Sequence, residues 1–88
     1  MTAAADRHMS RVAELRCILC RQIGFDPSPA EIHHIGDFAE RSNFLVIPLC
    51  IEHHRGGRGF HGMGERAFNR VYKTSEIALL AKTLELLA

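Results

Sequence analysis

Two short clips limit what this chain can fold into more than any other feature. Cys17-Ile18-Leu19-Cys20 sets two thiols three positions apart, and Cys50-Ile51-Glu52-His53 repeats the spacing with the last cysteine and an imidazole. Structural zinc takes four tetrahedral Cys or His ligands, commonly from two such clips brought together by the fold. The chain has 88 residues, and at that size only ~60–65% of the unfolded surface is buried on folding. Chains so short usually lean on a disulfide, a metal or a partner as well as a core. Three cysteines is an odd number, which disfavours a closed disulfide framework. Free cysteine is otherwise a small buried apolar residue, and a thioredoxin-like motif would need a βαβ unit that the pattern lacks. Cys17, Cys20, Cys50 and His53 are therefore expected to hold a structural zinc.

Composition narrows the class. With 47% hydrophobic and 24% charged residues, the chain is globular rather than disordered. A net charge of +1 gives no global basic signal, so nucleic-acid binding has to rest on a local cluster. Arg41, Arg55, Arg58 and Arg66 supply one, against the plainer reading of a solvated face. As phosphate contacts they would position a nucleic acid without reading its sequence. The start shows no basic end followed by an apolar core, hence no secretory signal. The longest apolar run, Phe44 to Ile51, is too short to span a bilayer. We expect no membrane role and a reducing, intracellular compartment, where such cysteines favour zinc.

Along the chain, residues 1–9 read as a flexible tail and residues 10–88 as one domain, with knuckles and core over 16–62 and C-terminal helices over 64–88. Ser10 is a reasonable N-cap for a short helical stretch through Val12 and Leu15. The two prolines of Asp26-Pro27-Ser28-Pro29 enforce a turn or an extended linker. Glu31 to Ile35 reads as a short strand and residues 37–43 as a loop or single turn. Phe44-Leu45-Val46-Ile47 is the strongest strand signal, with Pro48 marking an edge or a terminus. A helix from about His53 is interrupted by a Gly-rich loop. Ala67, Phe68, Val71 and Tyr72 have helical spacing, and Ser75 caps a last helix. Its face of Ile77, Leu80, Leu84 and Leu87, widened by Leu79 and Leu86, offers surface for the core or for a homodimer.

His33, His34 and His54 are left over beside the clips. A single strand histidine is more often a satisfied side chain than a ligand, but an adjacent pair between two metal clips is harder to dismiss. The arrangement suits phosphodiester hydrolysis, in which a divalent metal polarises the phosphate and a histidine takes a proton from water. Histidine fits the base role because it changes charge near neutral pH. Neighbours on a regular strand face opposite ways, so His33 and His34 share a site only if the strand frays or twists. His61, in the Gly-rich loop, is on sequence alone a further ligand, a phosphate contact or an exposed ring.

These pieces resemble the HNH (ββα-metal) endonucleases, in the zinc-knuckle layout of the endonuclease VII branch. Within that class the chain is similar to small phage and prophage proteins, including the recombination-enhancing Ref nuclease type. The matched segments, within residues 10–75, are Cys17-x-x-Cys20, His33-His34-Ile35, Pro48-Leu49-Cys50-x-x-His53-His54 and Phe60-His61-Gly62. The resemblance implies a small α+β fold, a zinc-stapled ββα-metal domain with additional C-terminal helices. It also implies His33 and His54 as ligands of a catalytic divalent metal (Mg, Mn, Ni or Zn), with His61 a further candidate. His34 would be the general base and Asn43 the residue that orders the loop. The expected activity is DNA cleavage with little sequence preference, in a cytoplasmic, bacterial or phage-encoded setting, with a recombination or DNA-processing protein as possible partner. The alternative is a zinc-stapled module that binds nucleic acid or protein without cutting.

Overall fold

A computed structural model describes residues 2–36 and 41–88. Helices α1 (Ala3–Glu14) and α2 (Ile18–Gln22) lead into strands β1 (Glu31–His34) and β2 (Val46–Leu49). Four helices follow: α3 (Ile51–His54), α4 (Phe60–Met63), α5 (Glu65–Tyr72) and α6 (Glu76–Leu87). The α+β class expected from the sequence is what the structure has.

The strands pair antiparallel, Glu31 with Leu49, Ile32 with Pro48, His33 with Ile47 and His34 with Val46. β2 begins two residues later than its apolar run suggests, because Leu45 N–H bonds back to Ser42 in a turn. Pro48 lies inside the strand. In a two-stranded sheet each strand is an edge, so its missing N–H can face away from the ladder. All four β2 residues are buried, since α1 and α6 pack against the strand.

The supposed tail is the first helix. The Thr2 side chain accepts from Ala5 N–H at 3.1 Å, the cap that was expected further along the chain at Ser10. Ala3, Ala4 and Ala5 are strong helix formers, and Asp6 suits the positive end of the helix. Ala5 and Val12 are buried, Val12 completely. Ser10 is an exposed mid-helix residue. The chain turns at Arg16, with φ of 64°, where Arg16 Nε donates to the Pro27 carbonyl at 2.7 Å.

The last helix is capped by Ser75, which accepts from Ala78 N–H at 3.0 Å. Its inner face is Leu79, Leu80 and Thr83, not the expected leucine stripe; Ile77, Leu84 and Leu86 are exposed. Thr83 tolerates burial because its hydroxyl donates to the Leu79 carbonyl at 2.8 Å, which leaves no unmet polar group. The three cysteines share one buried cluster with Ile18, Leu19, Ile47, Leu49, Phe68 and Leu79. The loop or turn expected over 37–43 lies partly outside the described residues.

Candidate metal centres

Each clip opens a helix. Cys17 is the N-cap of α2, and its Sγ accepts from Cys20 N–H at 3.3 Å. Cys50 is the N-cap of α3, which carries His53 one turn on. Folding the hairpin brings the four donors together. His53 Nδ1 lies 3.5 Å from Cys17 Sγ, 3.5 Å from Cys20 Sγ and 3.3 Å from Cys50 Sγ, and Cys20 and Cys50 Sγ are 3.8 Å apart. A tetrahedral ion with bonds of about 2.3 Å to sulfur and 2.0–2.1 Å to nitrogen spaces its ligands about 3.5–3.8 Å apart. All four residues are buried and could hold a structural zinc. Burial pushes the Cys17 thiol up to about 12, so metal binding there has to displace a proton.

His33, His54 and His61 form a second donor group, each offering one ring nitrogen within 4.8 Å of the others. Their ring centroids are 5.1, 5.2 and 4.9 Å apart. β1 delivers His33, α3 delivers His54, and α4 brings His61 in from the Gly-rich loop. Burial above all, then the nearby His54, His61 and His34, pushes His33 down to about 4. His33 is thus neutral at pH 7, and its Nε2, 2.6 Å from Glu76 Oε2, donates to that carboxylate. His33 Nδ1 is buried without a hydrogen-bond partner among the described residues. An orphaned buried lone pair is the kind of atom that a bound metal would satisfy. His54 Nδ1 lies 3.0 Å from Glu31 Oε1, and Arg55 grips the same carboxylate through Nε and Nη2 at 2.9–3.2 Å. The Arg55 bonds, followed by the one from His54, hold Glu31 down at about 2. The donor set and its carboxylate partners fit a divalent transition metal.

His34, last in β1, lines a cleft of roughly 380 Å³ with His33, His61, Phe60, Glu65 and Glu76. Adjacent strand residues thus reach one cleft because the strand ends there, and Gly36 at φ 86° turns the chain away. Asn43 Oδ1 is 2.8 Å from His34 Nε2, and Arg41 Nη2 is 3.1 Å from His34 Nδ1. Of the four basic residues, Arg41 meets His34 and Arg55 meets Glu31, and all four are exposed. The Tyr72 hydroxyl donates to the Arg58 carbonyl at 2.7 Å, which fastens the Gly-rich loop to α5. Sequence reasoning missed Glu31 and Glu76. Glu31 had a signal, since it stands two residues before His33 and so on the same strand face; Glu76, 43 residues from His33, had none.

The family model described as recombination enhancement, RecA-dependent nuclease, matches residues 1–88, the full chain. No curated protein matches.

Proposed function

The chain belongs to this family of recombination-enhancing, RecA-dependent nucleases, and from that premise we propose that it is an HNH-type endonuclease that hydrolyses DNA phosphodiester bonds, with His34 as general base. The observation that carries the reading is the His34–Asn43 bond at the edge of the cleft that His33 and His61 also line. Cys17, Cys20, Cys50 and His53 are its zinc knuckle pair. Held by His33, His54 and His61, a divalent metal (Mg, Mn, Ni or Zn) supplies Lewis-acid polarisation of the scissile phosphate and charge stabilisation for the leaving oxygen.

The remaining work falls to side chains. Asn43 Oδ1 accepts from His34 Nε2–H, which fixes the tautomer and leaves the Nδ1 lone pair as the basic atom. Nδ1 takes a proton from water as the water oxygen bonds to phosphorus, and the bond from phosphorus to the leaving oxygen breaks. Arg41, which occupies Nδ1 in the free protein, swings onto a substrate phosphate and uncovers it. Arg58 and Arg66 add backbone contacts, which position DNA without specifying sequence. RecA-coated DNA is the substrate form that the family description suggests.

The test is cleavage of bare and RecA-coated DNA across the four metals, with His34→Ala and the remote Arg7→Ala alongside. General-base loss lowers the rate ~10²–10⁴-fold in His34→Ala. If the two variants cut equally fast, His34 is not the base and the reading fails.

A further inference from the structure

The carboxylate beside His33 comes from an element that lies outside the hairpin and the clips. Glu76 opens α6, and its Oε2 lies 2.6 Å from His33 Nε2, with the His33 and Glu76 side chains only 1% and 16% exposed. A bond this short to a carboxylate oxygen, largely shielded from water, is among the stronger kinds of hydrogen bond. Glu76 stands in the first turn of α6, at the positive end of the helix and next to the Ser75 cap, a position that favours a carboxylate. The helix cannot easily drift, because Leu79, Leu80 and Thr83 anchor it in the core.

The Glu76 bond engages one nitrogen of His33 and leaves Nδ1, the buried atom without a partner among the described residues, as the only free lone pair. His54 repeats the pattern: Glu31 engages Nδ1 at 3.0 Å, so Nε2 is left to bind. We propose that Glu76 is a positioning residue of the histidine site, accepting from His33 Nε2–H and so turning Nδ1 to the metal. The proposal rests on the reading of His33, His54 and His61 as a metal site. It makes α6 a working part of that site rather than only a packing element. Outer-sphere carboxylates of this type fix both the tautomer and the ring orientation of a ligand.

Cobalt(II) titration of the full chain tests it, because the two sites are separable by absorption: only the cysteine site gives thiolate-to-cobalt charge transfer. We expect Glu76→Ala to weaken uptake of the second cobalt ~10–100-fold while the charge-transfer bands of the first persist, which also reports that the variant is folded. Glu76→Gln keeps an oxygen acceptor and should recover most of the affinity. In a His33→Ala background, Glu76→Ala should change nothing further. The proposal is overturned if Glu76→Ala binds the second cobalt as tightly as wild type, or if Glu76→Gln loses as much as Glu76→Ala, which would make the charge itself, or direct ligation, the cause. A wild-type chain that takes up one cobalt only removes the histidine site itself, and the reading beneath the proposal with it.

Discussion

His33 shows how burial sets the state of a ring before any ligand arrives. Its side chain is 1% exposed, and its affinity for a proton falls to about 4, against the usual 6.5. The sign of the linkage follows. The unfolded chain takes up a proton at His33 as pH drops through 6.5, and the folded chain does not until pH approaches 4. Stability is therefore full above 6.5 and is lost as pH falls towards 4. Between pH 7 and 5.5, without added divalent metal, the His33 contribution to unfolding free energy drops by about 1 kcal/mol. Urea unfolding at the two pH values should show the wild type losing about that much more than His33→Gln; equal losses would mean that His33 is not held neutral. The sequence marked His33 and His34 by their place between the clips. That they reach a common cleft depends on where β1 stops, which a strict two-residue alternation cannot show. Asn43 is nine residues from His34, and no sequence periodicity shows that its side chain reaches the ring.

Among the elements, the hairpin was legible because β-branched and apolar residues concentrate at 44–47, and the clips because ligand spacing is a chemical requirement. The first helix was not. Its apolar face is two residues, Ala5 and Val12, too sparse to register as a periodicity, and Thr2 is an unremarkable residue until its hydroxyl is seen to cap Ala5. The face of α6 was misread for the opposite reason: six apolar residues leave several possible faces, and packing chose the one that includes Thr83. The helix assignment makes separate predictions for two hydroxyl residues. Thr2→Ala should cost about 1 kcal/mol through loss of a cap, whereas Ser10→Ala, exposed in mid-helix, should be neutral or slightly stabilising. Val12→Ala should cost about 2 kcal/mol, since it trims a fully buried side chain. Urea midpoints for the three variants decide this, and a tail would give no shift in any of them.

At the scale of the whole molecule, the two donor groups are joined by a single peptide bond, that between His53 and His54. α3 is four residues long, and an isolated helix of that length has no stability of its own. It is held at its start by Cys50, inside by His53 and at its end by the Glu31 pairing of His54 and Arg55. All three cysteines belong to the central apolar cluster, so a metal held by Cys17, Cys20, Cys50 and His53 would sit within the core and not on its surface. Without a metal, burial leaves a protonated Cys17 thiol beside the His53 ring, whose proton affinity burial lowers, in place of the coordinate bonds that a small core needs. Stripping the cysteine site with a strong chelator should therefore unfold the chain in one step, with helical circular dichroism lost in parallel with zinc release and restored on re-addition. Cys50→Ser should behave as the stripped protein does. Because His54 follows His53 directly, the histidine site should vanish in the same transition, while removal of metal from the histidine site alone should leave the helical signal intact. Zinc release with the helical signal retained would show that the apolar cluster suffices alone, and that the cysteines bind metal without stapling the fold.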